Sequence, residues 1–220
     1  MMTEPTITLW GHNSGRAMRV LWMLEELGLD YAHHPLGART GETKTDDYTR
    51  LNPKQKIPTF RHGDLVLTES PAIVTYLADA FDPPAGLYAP RDPAGRAKVN
   101  EWVVFVAMEL DAHTLYVIRR HDALSDIYGK APEAVASAKE YYLKQLAAVA
   151  PRVEAAGTYL FGDDFSIADI MLMTVLDWGR MYGIVLPSAL GAYQRRVGER
   201  PAYMRAFERN YTDRTLEDVR

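Results

Sequence analysis

The sequence predicts a small mixed α/β domain followed by an all-α domain, and three observations carry that expectation. Before Asp82, short apolar runs of strand length and helically spaced segments come in the order β-α-β, then β-β-α. That order builds a small mixed sheet with helices packed on it. After Asp82 the strand-like runs stop, and apolar residues recur at steps of three and four. Between the two lies Asp82-Pro83-Pro84-Ala85-Gly86, whose prolines and glycine end a helix and stiffen a linker. The expected limits are residues 1–83 for the first domain, 84–92 for the linker and 93–220 for the helical domain. A chain of 220 residues can supply both parts with cores.

Ile7-Thr8-Leu9-Trp10 reads as a short buried strand. Residues 16–28 read as a helix, with Ala17, Val20, Leu21, Leu24 and Leu27 at helical spacing and Gly28 as the stop. Tyr31 to Leu36 reads as a second strand, and Gly37 to Arg50, mostly polar, as a loop with a short helix. Ile57-Pro58-Thr59-Phe60 and Leu65-Val66-Leu67 flank His62-Gly63-Asp64, a hairpin signature. The next helix starts at Ser70 as N-cap with Pro71 in the first turn, and buries Ile73, Tyr76, Leu77 and Ala80. Beyond the linker, residues 93–121, 132–149, 166–180 and about 189–209 have helical spacing, and Ser166-Ile167-Ala168-Asp169 forms a capping box.

Composition narrows the function. Apolar residues make up 47% of the chain and the net charge is −4, with neither half basic, which gives no footprint for nucleic acid or an anionic membrane. There is no cysteine, so a protein thiol nucleophile, a disulfide and a thiolate metal site are all excluded. No apolar stretch is long enough to span a bilayer and no signal segment is recognised, so the expected location is the cytoplasm. Asn210-Tyr211-Thr212 matches a glycosylation acceptor and reads as a chance match.

The chemistry is suggested by Glu69-Ser70 and Ile57-Pro58. A helix N-terminus presents backbone donors and partial positive charge to an anion, and Glu69 beside it can pair with an amine. Together they describe a receptor for an amino-acid head group. A residue before proline is driven extended, so Ile57 can offer its backbone N–H and C=O to a peptide.

These residues also carry a resemblance. Lys56-Ile57-Pro58-Thr59-Phe60 followed by Glu69-Ser70-Pro71-Ala72-Ile73 resembles the glutathione-binding half of the cytosolic glutathione transferases. The likeness begins at Ile7 to Trp10 and the helix from Arg19 to Gly28, and ends at Phe165-Ser166-Ile167-Ala168-Asp169-Ile170. It implies a thioredoxin-like N-terminal domain, an all-helical C-terminal domain, and transfer of glutathione as co-substrate to a small hydrophobic electrophile. It implies a homodimer and a detoxifying role, with no metal or prosthetic group. The same scaffold also suits a glutathione-dependent isomerase or peroxidase, or a non-catalytic ligand-binding or regulatory protein.

The resemblance implies roles for particular residues. Ser14, in Gly11-His12-Asn13-Ser14-Gly15-Arg16, is the candidate that stabilises the thiolate: serine-type members place a serine a few residues before the helix arginine, here Arg19. Trp10 stands near where tyrosine-type members place their phenol. From the loop alone Ser14 reads as a helix cap, and it is the resemblance that favours catalysis, with Asn13 and His12 as rival donors. Lys56 would contact the glycine carboxylate of glutathione, Ile57 its backbone, and Glu69 with Ser70 its γ-glutamyl head group. Gln55 departs from similar chains, which often have glycine there, and Pro58 is expected to be cis where sequence alone favours trans. The resemblance also assigns Phe105, Met108 and Tyr116 to the electrophile pocket, along a helix whose Trp102 reads as core. Glu109 and His113 share a helix face, but no third metal ligand is evident.

Overall fold

The computed structural model describes residues 6–219. The chain forms two compact units. The first runs to Ala85 and takes in Glu199–Leu216; the second comprises Gly86–Gly198 and continues from Glu217.

The first unit is built on four strands: β1 (Ile7–Trp10), β2 (Ala32–His34), β3 (Thr59–His62) and β4 (Leu65–Thr68). Their order is β2-β1-β3-β4, with β1 and β2 parallel and the other pairs antiparallel. This is the thioredoxin-like arrangement. The β3–β4 hairpin turns at Gly63, whose φ of 57° suits glycine. Helix α1 (Gly15–Leu27) ends at Gly28, left-handed at φ 63°, as its sequence predicts. A 3₁₀ turn (Glu42–Lys44) and α2 (Asp46–Leu51) follow, and α3 (Ser70–Ala80) packs against α1. Leu9, Leu21, Trp22, Phe60, Ile73 and Leu77 fill the core.

The second unit contains α4 (Pro93–Phe105), α5 (Tyr116–His121), α6 (Ser125–Tyr128), α7 (Pro132–Ala155), α8 (Ile167–Met181) and α9 (Ser188–Val197). The expected single helix over 93–121 is interrupted by a π-helical segment, Val106–Leu115. There the Tyr116 N–H reaches back five residues to the Asp111 carbonyl. The Thr114 hydroxyl donates to the Leu110 carbonyl, a side-chain bond that supports the wider turn. Trp102 is core, 2% exposed, as its position suggested. At the start of α8, Asp169 is fully buried and accepts from the Ser166 N–H (2.8 Å), the Ser166 hydroxyl (2.7 Å), the Leu160 N–H (2.9 Å) and the Tyr193 hydroxyl (2.7 Å).

Helix α10 (Pro201–Asn210) differs from the expected division, in which everything from 93 to 220 belonged to the helical domain. It packs on α1 of the first unit. Tyr203 meets the Trp22 ring edge-on at 4.9 Å, and Arg200 forms a two-pronged pair with Glu26 on α1, both contacts at 2.7 Å. Periodicity marked the apolar face of α10 but not the helix it would meet. Among the described residues no helix is long and apolar enough to cross a membrane.

Candidate active site

Strand register brings the predicted site residues of the first unit to one edge. Trp10 at the end of β1 pairs with Thr59 at the start of β3, and Thr59 pairs with Thr68 at the end of β4. The loop after β1 carrying Ser14, the loop before β3 carrying Lys56 and Ile57, and the turn after β4 carrying Glu69 and Ser70 therefore leave the sheet side by side.

The first two loops touch. Gly11 has φ 128°, and a Cβ placed there would lie 2.8 Å from the Ile57 Cβ. Glycine is thus required twice over, by its backbone and by Ile57. The Ile57–Pro58 bond is cis. The Lys56 carbonyl accepts from the Tyr48 hydroxyl (2.6 Å) and the Asn52 Nδ2 (2.9 Å), and Asn52 also donates to the Thr59 hydroxyl. Gln55, where similar chains have glycine, keeps a left-handed backbone at φ 52° and bonds Thr49 through its side-chain amide. A non-glycine residue therefore holds a left-handed backbone here, at a cost of about 1 kcal/mol.

At α3 the sequence expectation is corrected. Ser70 is not the N-cap but the first helical residue, and its buried Oγ accepts from the Arg19 Nη1 at 3.3 Å. The cap position belongs to Glu69, with φ 70°, ψ 105° and no capping bond from its side chain. Such a backbone costs of order 1–3 kcal/mol and persists only where its surroundings over-determine it. The Glu69 carboxylate is 70% exposed and meets the Lys54 ammonium at 2.6 Å.

Ser14 caps α1: its Oγ accepts from the Arg16 N–H at 3.2 Å. A hydroxyl that accepts in a cap still has its own hydrogen to donate, so capping and thiolate stabilisation are compatible roles. Its rival Asn13 is engaged elsewhere, with Oδ1 accepting from the Thr212 N–H (3.2 Å) and Nδ2 donating to the Thr212 hydroxyl (3.3 Å). His12 has a buried Nδ1 with no partner among the described residues. The Gly11 carbonyl accepts from the His33 ring at 2.9 Å, and burial of that ring lowers the His33 pKa despite this bond.

Lys56 is exposed, while Lys54 is the lysine that reaches Glu69. Phe105, Met108 and Tyr116 lie in the second unit, at the end of α4, in the π-helical segment and at the start of α5. Met108 is 49% exposed, and Phe105 meets Trp102 edge-on at 5.9 Å. The i→i+5 register means steps of three and four no longer decide which of these share a face. The Glu109 carboxylate accepts from the Tyr141 hydroxyl (2.6 Å) and lies 3.7 Å from the His113 ring. Sequence reasoning missed Tyr48, Asn52, Lys54 and Asn210. Asn52-Pro53, a turn dipeptide, was the one local signal for the second of these.

Comparison with known proteins places both halves of the chain in one family. The family model described as "Glutathione S-transferase, N-terminal domain" matches residues 5–79, and "Glutathione S-transferase, C-terminal domain" matches residues 105–201. Glutathione S-transferase 3 of Zea mays is 32% identical over 163 residues, spanning 71% of this chain and 70% of the relative. A glutathione S-transferase of Hyoscyamus muticus is 28% identical over 204 residues, 89% and 94% of the two chains. The crystal structure of a theta class glutathione S-transferase from Xanthomonas axonopodis pv. citri, with glutathione bound, superposes with a TM-score of 0.75 at 31% identity, covering 92% of this chain and 97% of that one. With both halves matched in order and the same fold beneath them, the chain belongs to the glutathione S-transferase family.

Proposed function

We propose that this transferase binds glutathione along the sheet edge that carries Ser14, Ile57, Glu69 and Ser70, and transfers it to a small hydrophobic electrophile. The observation that carries the reading is the register Trp10–Thr59–Thr68, which brings the loop leading into α1, the loop carrying Ile57 and the turn leading into α3 to the same end of the sheet. The amine of the γ-glutamyl group meets the Glu69 carboxylate, its carboxylate meets the start of α3, and the Ile57 backbone pairs with the cysteinyl backbone. Lys56, which is exposed, reaches the glycine carboxylate. Glutathione found bound in the Xanthomonas relative supports this choice of ligand.

The sulfur then faces Ser14. An ordinary thiol has a pKa of about 8.5, and each unit of lowering corresponds to about 1.4 kcal/mol. A hydroxyl donor and a helix N-terminus stabilise the anion and not the thiol, so they lower that pKa. The thiolate attacks the electrophilic carbon; the S–C bond forms as the leaving group departs with its electron pair. Phe105, Met108 and Tyr116 supply the apolar contacts for the electrophile. The reaction needs no metal or prosthetic group, and the enzyme acts as a homodimer in the cytoplasm.

Conjugation of glutathione to an aromatic halide tests the reading: turnover above the uncatalysed rate is expected, and its absence in protein that binds glutathione would favour a ligand-binding role. Light scattering is expected to give twice the 24.8 kDa chain mass, and a monomer at micromolar concentration contradicts the dimer.

A further inference from the structure

Asn210, the last residue of α10, is fully buried, and its Oδ1 has no partner among the described residues. A buried amide with an unpaired oxygen is a poor choice for stability alone, since an apolar residue of like size carries no such penalty. What the amide does instead is hold the loop between β1 and α1. Its Nδ2 donates to the Ser14 carbonyl at 3.1 Å, and its own carbonyl accepts from the Asn13 N–H at 2.7 Å. The Ser14 carbonyl also accepts from the Met18 N–H at 2.9 Å, so two donors fix its direction. Two residues on, Thr212 grips both ends of the Asn13 side-chain amide. These bonds hold Asn13 left-handed at φ 49° and let the chain swing to the extended Ser14 at φ −149°.

We infer that Asn210, helped by Thr212, is a positioning residue for catalysis: it sets the backbone at Asn13 and Ser14 so that the Ser14 hydroxyl points at the sulfur of bound glutathione. The inference rests on Ser14 being the thiolate donor. It makes α10 part of the active-site support from a distance of about two hundred residues in sequence.

The test uses Asn210→Leu, Thr212→Val, Ser14→Ala and the double variant Ser14→Ala/Asn210→Leu. Calorimetry gives glutathione affinity, and thiolate absorbance against pH gives the pKa of the bound thiol. A purely structural role would lower melting temperature without moving that pKa. Asn210→Leu is expected to keep glutathione affinity within about twofold and to raise the bound-thiol pKa by about half a unit or more, a threefold loss of thiolate well below the pKa. Conjugation lost at neutral pH is expected to return at alkaline pH. The double variant is expected to shift no further than Ser14→Ala alone. If Ser14→Ala moves the pKa and Asn210→Leu does not, the positioning role is overturned while the serine assignment stands. If Ser14→Ala leaves the pKa in place, both fall. Should Asn210→Leu fail to fold, Thr212→Val decides: a smaller rise in the same direction supports the inference, and an unmoved pKa overturns it.

Discussion

Helices α3 and α8 begin in opposite ways. At α8, Ser166 and Asp169 close a capping box, and four donors converge on the fully buried Asp169 carboxylate. At α3, Glu69 takes the cap position with a left-handed φ of 70°, makes no capping bond and leaves its carboxylate exposed. The first arrangement spends its polar groups on holding the fold. The second leaves its charge exposed on a backbone of positive φ. That contrast sets a helix start closed by its own side chains against one whose cap residue is left open, the place where we propose the glutathione head group binds.

The sharpest way to break the comparison is Asp169→Ala. It would strand buried donors from Ser166, Leu160 and Tyr193, and a loss on the order of 4 kcal/mol in unfolding free energy is expected from chemical denaturation. A loss under about 1 kcal/mol would mean the box is ornamental. Glu69→Ala is expected to do the reverse: nearly unchanged stability, because its Lys54 pair is exposed, but glutathione affinity weakened by about 1.5–3 kcal/mol in calorimetry. Unchanged affinity would sink the head-group assignment.

A variant of the same residue sharpens the point. Glu69→Gly relieves the φ of 70° and is expected to raise unfolding free energy by about 1 kcal/mol while losing the affinity that Glu69→Ala loses. Stability and function would then move in opposite directions at one position. The smallest effect is expected at Gln55→Gly. Release from the left-handed conformation is offset by the freer unfolded chain and by loss of the Thr49 bond, so thermal denaturation should shift by less than about 1 kcal/mol, with glutathione affinity kept.

Much of this was legible in the sequence, and the exceptions have physical causes. The β3–β4 hairpin, the Gly28 stop of α1 and the α8 capping box follow from local chemistry and are found where local chemistry puts them. Ser70 was expected as the α3 cap because serine is a better cap than glutamate. The structure instead buries Ser70 against Arg19, a contact across 51 residues that no local rule sees. The π-helical segment was hidden because apolar spacing measures period, and one stretch of i→i+5 bonds changes the period without changing composition. Helix α10 was read as part of the helical domain because amphipathicity names a face and not a partner. Its Asn210, which closes the loop around Ser14, was invisible for the same reason.

The central claim is that Ser14 stabilises the thiolate and does not hold the peptide. The measurement that meets it most directly is the pH titration of the thiol of bound glutathione, by thiolate absorbance, in the unaltered protein and in Ser14→Ala. The account predicts a pKa below the ordinary value of about 8.5 in the unaltered protein, a rise of about one to two units in the variant, and glutathione affinity nearly the same in both. An identical pKa in the two proteins, with the Asn13→Ala variant losing activity instead, would contradict it.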